Sequence, residues 1–250
     1  KNLQNEKKAK EYLGKIKSSS NLLLMIINQI LEMARIESGT AVLQLKAEDI
    51  DALFHRVNTV FEEDIRKKNL QYHADLDIRH HYVVCDQTKL QEIMLNIISN
   101  AIKYTPEGHS IHVEIHEAAS ENPSKIHYIF SCEDTGIGMS EEYLPHVYEE
   151  FSREHTTTEN KVQGTGLGLS IIKSMIELMG GSIQVESRQH IGTKFTVDFS
   201  FDIASKEEVY GNQNALKPPA IHTIKGTRIL LVEDNELNAE IAKTVLEDVG

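Results

Sequence analysis

A long heptad pattern at the start of the chain constrains its fold more than any other feature. Residues 3–37 are predicted to form one helix with a seam of mainly apolar residues at alternating three- and four-residue spacing: Leu13, Ile16, Ser20, Leu23, Ile27, Ile30 and Ala34. Such a helix is roughly 50 Å long, and Gly39 ends it. It cannot bury this seam against itself, so the pattern favours a helical hairpin or a dimer element over a core helix of one globular domain.

After Gly39 the periodicity becomes that of a mixed domain. Strands are predicted at residues 41–50, 70–76, 110–116, 125–132, 182–187 and 193–201, and helices at 49–68, 87–104 and 167–179. In two of the strands every second residue is apolar, namely Ile111, Val113 and Ile115 in one and Phe195, Val197 and Phe199 in the other. Antiparallel strands with helices on one face predict an α+β sandwich.

A second domain is predicted to start near the end of the sequence. Residues 204–226 lack any period and contain Pro218-Pro219, which is typical of a linker. Residues 227–250 then read as an apolar strand, an acidic turn and an amphipathic helix. This is the opening of a parallel-sheet domain that the 250 residues do not complete.

Charge and cysteine usage exclude several classes of function. The net charge of −12 argues against extended nucleic-acid binding, which needs a basic face. Cys85 and Cys132 stand in apolar surroundings, as small core residues do, rather than in a disulfide framework or a metal site. The apolar run at 22–27 is far shorter than a membrane span, and nothing resembles a signal peptide. We therefore expect this region to work in a reducing, aqueous compartment.

The predicted helix at residues 87–104 has a polar side with unusual chemistry. Asn96, Asn100, Lys103 and Tyr104 fall on one side of it. Amide oxygens can bind a hard cation such as Mg²⁺, a lysine can bind a phosphate, and a tyrosine ring can stack on a base. Taken alone, the pattern also fits an ordinary solvated helix face.

A glycine-rich turn follows the strand at 125–132. In "DTGIGM", residues 134–139, Gly136 and Gly138 allow the backbone to approach a flat ligand closely. Asp134 is costly to bury unless it accepts a hydrogen bond, and the exocyclic amine of adenine is a suitable donor. The alternative is a simple turn with a capping aspartate.

A second glycine-rich segment, "GTGLGLSI" at 164–171, opens the next predicted helix. Gly164, Gly166 and Gly168 expose N–H groups at a helix N-terminus, where phosphates bind. No strand leads into it, so it is not a dinucleotide fingerprint. The preceding polar loop, residues 152–163, suits a mobile lid. Arg153 and Lys161 in this loop are candidates to reach phosphates, and Phe151, just before it, is a candidate to anchor its start.

The order and spacing of these motifs resemble a known family. "NIISNAIKYTPEG", "DTGIGM", "VYEEFSRE" and "GTGLGLSI" resemble the N box, first glycine box, F box and second glycine box of sensor histidine kinases, over about residues 8–201. The fold that this implies is the Bergerat ATP-binding sandwich, a mixed sheet covered by helices on one face, which gyrase-type ATPases share. "RILLVEDNELN" resembles the start of a response-regulator receiver domain, so the whole resembles a hybrid histidine kinase.

The resemblance implies roles for the polar helix face. Asn100 would hold Mg²⁺ against the triphosphate, Lys103 would contact phosphate, and Tyr104 would flank the adenine. Asn96 takes the catalytic position at which gyrase-type relatives carry a glutamate that activates water. An amide is not a general base at neutral pH, so ATP would be kept for another acceptor. The implied ATP-binding residues are Asn96, Asn100, Lys103, Tyr104, Asp134, Gly136, Ile137, Gly138, Phe151, Arg153, Gly164, Thr165, Gly166, Leu167, Gly168 and Leu169.

The phosphoacceptors are expected outside this sequence. None of the twelve histidines stands in the H-E-x-R context of the acceptor helix, so that histidine is predicted to precede Lys1. Glu233 and Asp234 would bind Mg²⁺ in the receiver, whose acceptor aspartate would follow Gly250. The implied domains are the second helix of the phosphotransfer hairpin, the ATP-binding domain, the linker and the receiver start, at 1–39, 40–203, 204–226 and 227–250.

Partners and alternatives follow from the same resemblance. We expect ATP and Mg²⁺ as cofactors, and as partners the protein's own phosphotransfer helix and receiver, a second copy in a homodimer, and no nucleic acid. This region would be cytoplasmic, and family members are often anchored in the membrane. Two alternatives stay open: a gyrase-type ATP hydrolase, against which Asn96 speaks, and a non-enzymatic nucleotide-gated module, against which the intact Asn100, Asp134 and glycines speak.

Overall fold

A computed structural model of the chain describes residues 6–118, 120, 122–154, 165–211 and 243. Two compact units divide the chain, Lys1–Val209 and Tyr210–Gly250. The first unit contains nearly all described residues. The predicted receiver strand and helix, with Glu233 and Asp234, lie outside them.

The first helix, α1 (Glu6–Glu37), is continuous over 32 residues, as the heptad pattern predicts. A turn follows Glu37, in which Gly39 has a φ of 67° and donates its amide to the Ile36 carbonyl at 3.0 Å. Leu13 and Ile16 are 65% and 61% exposed, whereas Met33 and Ile36 pack against the core of the following domain. The seam is therefore exposed along its whole length, and a different side of the end of α1 packs on the following domain.

The domain is built on one seven-stranded sheet in the described part of the chain. Its strands are β1 (Lys46–Asp49), β2 (Gln71–Asp77), β3 (Tyr82–Cys85), β4 (Ser110–Ala118), β5 (Lys125–Asp134), β6 (Ser182–Arg188) and β7 (Gly192–Ile203). The order is β1-β3-β7-β5-β4-β2, with β6 also paired to β7. Every pair is antiparallel except β2–β4. Strands β2 and β4 are parallel because β3 and the next helix form a crossover that returns the chain in the same direction, so the sheet is mixed, as the predicted fold class requires.

Helices cover one face of this sheet, as the α+β prediction requires. They are α2 (Ile50–Thr59), α3 (Glu62–Lys67), α4 (Gln87–Tyr104) and α5 (Gly168–Leu178), followed by a short α6 (Lys206–Tyr210). Ile97 of α4 and Met175 of α5 are fully buried over the sheet. Both cysteines are buried free thiols, in agreement with the sequence.

Four local predictions need correction. The helix predicted at 49–68 breaks into α2 and α3, because the break buries Phe61 and leaves Val60 exposed. Of the strand predicted at 41–50, only Lys46–Asp49 forms a strand, β1. Strand β3 was not predicted, since four residues are too few to show a period. The predicted linker begins with α6, which Ser205 and Glu208 start as a capping box: the Ser205 amide donates to Glu208 at 2.7 Å.

Within the described residues, no helix combines the length and the apolar character that crossing a membrane demands.

Candidate functional site

A cleft of about 340 Å³ opens between α4, the end of β5 and the start of α5. A volume of this size suits a small-molecule ligand. Its lining residues are Gln29, Asn96, Ser99, Asn100, Ala101, Lys103, Tyr104, Asp134, Ile137, Gly138, Met139, Tyr143, Val147, Ser152, Arg153, Glu154, Thr165, Gly166, Gly168, Leu169, Thr193 and Phe195.

Helix α4 supplies the polar wall of the cleft. Asp86 caps its start by accepting the Lys89 amide at 3.1 Å. The apolar side of α4 is buried over the sheet, which leaves the side with Asn96 and Asn100 facing the cleft. The Asn100 amide nitrogen donates to Asn96 Oδ1 at 3.1 Å, so the two amides form one unit.

Two cationic side chains lie near each other at the α4 end of this wall. Lys103 Nζ is 4.9 Å from the centre of the Tyr104 ring. Burial lowers the pKa of Lys103, and the positive charge of Arg153 lowers this pKa further. Because the two cations repel each other, an anion between them would be stabilised, as a phosphate group is.

Asp134 forms the deepest polar group of the cleft. It ends β5, is only 7% exposed, and accepts the Gly136 amide at 2.8 Å. Burial raises the pKa of Asp134 to about 6, although backbone bonds from Gly136 and Thr193 act in the opposite direction. A buried carboxylate that faces a cleft stabilises a ligand that donates a hydrogen bond to it.

The first glycine box is shaped by protein contacts on both sides. A Cβ on Gly136 would lie 2.6 Å from the Tyr104 carbonyl oxygen. Gly138 has a φ of 62°, and a Cβ there would lie 2.0 Å from the Arg188 carbonyl oxygen. Packing of the α4 terminus and of the end of β6 therefore requires glycine at both positions, independently of the close ligand approach that the sequence predicts there.

The second glycine box packs against the backbone of the F box. Gly166 has a φ of 77°, and a Cβ there would lie 2.8 Å from the carbonyl carbon of Phe151. Helix α5 begins at Gly168 without a side-chain cap, and Asn96 lies 3.0 Å from the Cβ position of Gly168. The N-terminal amides of α5 and the asparagine pair therefore border the same end of the cleft, which favours an anion there.

The structure brings most predicted site residues together. The cleft is lined by Asn96, Asn100, Lys103, Tyr104, Asp134, Ile137, Gly138, Arg153, Thr165, Gly166, Gly168 and Leu169. Gly136 supports Asp134 from behind, and Leu167 is buried in the core, so neither is part of the lining. The side chain of Phe151 is 62% exposed and is not part of the lining either. Gly164 and Lys161 lie outside the described residues.

Sequence reasoning missed several lining residues, and two of them are informative. Thr193 lies directly opposite Asp134 in the β5–β7 register, a pairing that only the sheet topology reveals. Gln29 comes from α1, more than 130 positions away, and accepts the Thr165 hydroxyl at 3.3 Å. It follows that α1 contributes a polar side chain to the cleft.

An ion pair holds α1 beside the cleft. Lys89 at the start of α4 pairs with Glu32 of α1, and both side chains are 19% exposed. Glu92 lies 3.9 Å from Lys89, and burial raises the pKa of Glu92 against the opposing effect of Lys89. Together with Met33 and Ile36, these contacts attach the last third of α1 to the domain.

Comparisons with known proteins relate the region of this cleft to an ATPase family. Residues 85–203 match the family described as histidine kinase-, DNA gyrase B-, and HSP90-like ATPase. The chain is 30% identical over 244 residues to the autoinducer 2 sensor kinase/phosphatase LuxQ of Vibrio cholerae, a match that covers 96% of this chain and 28% of LuxQ. The chain thus spans less than a third of that relative's length.

Two solved structures share the fold. Full-length ShkA in complex with AMPPNP superposes with a TM-score of 0.65 at 24% identity, over 78% of this chain and 39% of ShkA. The histidine kinase ThkA in complex with the response regulator protein TrrA superposes with a TM-score of 0.57 at 25% identity, over 78% of this chain and 52% of that chain. The matched residues, 85–203, supply every lining residue of the cleft described above except Gln29, so this part of the chain is similar to the ATP-binding catalytic regions of that family and of sensor histidine kinases.

Proposed function

We propose that this chain is the ATP-binding part of a hybrid sensor histidine kinase, which transfers the γ-phosphoryl group of ATP to a histidine and then to a receiver aspartate. One observation carries the proposal. Asn96, Asn100 and Lys103 of α4 line the same cleft as Asp134 of β5 and the N-terminus of α5. An acceptor for an adenine amine and donors for a phosphate chain thus share one ligand-sized space.

The adenine is proposed to bind at Asp134, with Tyr104 beside it, and the phosphates at Lys103, Arg153 and the start of α5. Between the two ends, Asn100 would contribute an amide oxygen to Mg²⁺. Its nitrogen is already used in the bond to Asn96, which leaves the oxygen for a cation. Mg²⁺ commonly takes only one or two protein ligands and completes its shell with phosphate oxygens and water, so a single amide oxygen fits it.

Phosphoryl transfer is preferred to hydrolysis because of Asn96. It lies against Gly168, beside the proposed phosphate end, and its neutral amide cannot take a proton from water at pH 7. Such a site neutralises charge and holds the γ-phosphoryl group in position for a nucleophile that another element supplies. A gyrase-type hydrolase would need a base in this position.

The remaining parts of the proposal concern segments outside the described cleft. We assign residues 1–39 to the second helix of a phosphotransfer hairpin, 204–226 to a linker and 227–250 to a receiver, with Glu233 and Asp234 as its Mg²⁺ ligands. The open seam of α1 supports a homodimer, since exposed apolar stripes favour association. The ThkA complex with a response regulator supports a receiver as partner. We also propose that this region is located in the cytoplasm, where ATP is available.

The decisive experiment separates binding from transfer. We expect calorimetry to detect Mg·ATP binding to the 250-residue chain, without steady phosphate release and without incorporation of label from γ-labelled ATP. A longer chain that also carries the preceding helix should incorporate an acid-labile, base-stable label, as a phosphohistidine does. Steady phosphate release by the 250-residue chain would favour the hydrolase instead, and binding without labelling of the longer chain would favour the nucleotide-gated module.

A further inference from the structure

Lys68 holds the end of α4 that carries two residues of the cleft. It follows α3 directly, and Asn69 with a φ of 49° then turns the chain into β2. The Lys68 ammonium group donates to the carbonyl oxygens of Ile102, Lys103 and Thr105 at 2.7, 3.1 and 3.1 Å. An ammonium group has three N–H donors, so these three carbonyls use its full capacity.

The three carbonyls belong to the turn at which α4 ends. The last carbonyls of a helix have no partner within the helix and carry the negative end of its dipole, so a cation there stabilises the terminus. Thr105 follows the last helical residue and is fully buried, with its amide bonded to the Ala101 carbonyl at 3.0 Å. This terminus is thus fixed inside the protein rather than frayed in solvent.

The same turn is in contact with the first glycine box. The Ile137 amide donates to the Tyr104 carbonyl at 3.2 Å. Tyr104 lines the cleft from α4, and Ile137 lines it from the turn after β5. Any displacement of the α4 terminus would therefore move Lys103, Tyr104 and the turn that follows Asp134.

The backbone around Lys68 is attached to the other side of this turn as well. The Gly108 amide donates to the Lys68 carbonyl at 3.2 Å, and the Gln71 amide donates to the His109 carbonyl at 2.8 Å. Lys68 thus bonds to the chain both before and after the segment 106–107. Lys68 itself does not line the cleft.

We propose that Lys68 is a positioning residue of the nucleotide site, acting through the last turn of α4 on Lys103, Tyr104 and the first glycine box. This inference rests on the proposed ATP-binding function. Lys68 lies outside the cleft, and its proposed role goes beyond capping the end of α4. The role is control of where the base-flanking and phosphate-binding side chains stand.

The test compares Lys68→Met with Lys67→Met. Lys67 is the adjacent lysine, is exposed, and pairs with Glu63 on the surface at 2.8 Å, so its replacement removes the same charge without touching α4. We expect the Mg·ATP Kd of Lys68→Met to be about tenfold weaker than that of the parent. Lys67→Met should stay within about twofold. Circular dichroism must show each variant folded at the temperature of the binding measurement.

Amide hydrogen exchange in the nucleotide-free chain gives a readout that does not depend on ATP. The Ile137 amide should exchange faster in Lys68→Met than in the parent and Lys67→Met, because its acceptor lies on the released turn. If the parent does not bind Mg·ATP, the proposed function fails, and Ile137 exchange still decides the positioning claim. Unchanged ATP affinity together with unchanged Ile137 exchange in a folded Lys68→Met would overturn it.

Lys68→Arg decides the matter if the methionine variant does not fold. Arginine keeps the charge, but its planar guanidinium cannot direct three N–H groups to three converging carbonyls from the ammonium position. We expect a folded protein with weaker ATP affinity than the parent and with faster Ile137 exchange. Parent-like affinity and exchange in Lys68→Arg, with Lys68→Met unfolded, would reduce Lys68 to a purely structural cap.

Discussion

The two ends of the cleft are built in different ways. At the end proposed for adenine, Asp134, Tyr104 and Ile137 are held by backbone bonds within the domain, and Asp134 is nearly fully buried. At the end proposed for phosphates, Thr165 meets Gln29 through a single side-chain bond of 3.3 Å, and Gln29 comes from α1. The adenine end is therefore shaped by the folded domain itself, whereas the phosphate end depends also on the position of α1.

This difference predicts an order of effects. A buried carboxylate without a hydrogen-bond donor is unfavourable, and a ligand group that donates to it removes this penalty. Loss of that hydrogen bond therefore weakens ligand binding strongly. Side chains at a more open end are partly solvated before the ligand arrives, and their loss costs less. Changes at Asp134 should therefore weaken binding most, and changes at Gln29 least.

The largest effect is expected for Asp134→Asn. The amide keeps the size of the carboxylate but removes the charge from the proposed bond to the adenine amine. Hydrogen bonds to charged groups contribute roughly 1.5–3 kcal/mol, so ATP affinity measured by calorimetry should fall by about ten- to a hundredfold. Glu133→Gln is the matched control, because Glu133 precedes Asp134, is exposed, and pairs with Lys194 at 3.5 Å. Equal affinity of Asp134→Asn and the parent would remove Asp134 from the base site.

The pH dependence of adenosine binding should show the same group titrating. The pKa of Asp134 is raised to about 6, so lowering the pH from 7 to 5 protonates the carboxylate and removes the charged acceptor. About a tenth of the groups remain ionised one unit below the pKa, so adenosine affinity should fall by about tenfold at pH 5. Adenosine is used because it has no phosphates that titrate in this window. A flat profile in the parent, like that expected for Asp134→Asn, would contradict the assignment.

The same raised pKa has a consequence for stability with the opposite sign. The folded chain holds the Asp134 proton more tightly than the unfolded chain does. Its contribution to the free energy of unfolding is therefore fully present below the ordinary value of 3.8 and is lost as the pH rises through about 6. Protonation of Asp134 therefore stabilises the folded, ligand-free chain in the same pH window in which adenosine binding is lost.

An intermediate effect is expected for Asn100→Ala. It should weaken Mg·ATP binding by several-fold to about tenfold, since it removes one oxygen ligand of the proposed Mg²⁺ and the bond to Asn96. Adenosine has no phosphates for the metal to bridge, so its affinity should barely change. Calorimetry with both ligands on one variant provides the internal control. Equal losses for the two would make Asn100 a structural residue of α4.

The smallest effect is expected for Gln29→Ala. A neutral hydrogen bond contributes about 0.5–1.5 kcal/mol, and the distance of 3.3 Å to Thr165 favours the lower part of that range, so Mg·ATP affinity should change by about threefold. Asn28→Ala is the control, because Asn28 is the neighbouring amide on α1 and is exposed. If Gln29→Ala matches or exceeds the effect of Asp134→Asn, the ordering of the two ends is wrong.

Local sequence patterns were sufficient for most of the fold. The strand alternation of Ile111, Val113 and Ile115, and the buried side of α4, follow from periods of 2 and 3.6, which depend only on neighbouring residues. The break between α2 and α3 could not be predicted in this way. Its cause is the burial of Phe61 against distant parts of the chain, and no local period reports that.

The sequence by itself determined the α+β class, the long α1 and most of the cleft residues, because each of these rests on spacings within one element or on a motif. Only the tertiary structure decided which residues of different elements contact one another. It made β2 and β4 parallel and set Thr193 opposite Asp134. It also brought Gln29 to Thr165 and the Lys68 ammonium to the end of α4. These contacts join residues that are tens of positions or more apart, and their geometry is set by packing around a shared core rather than by the residues next to them.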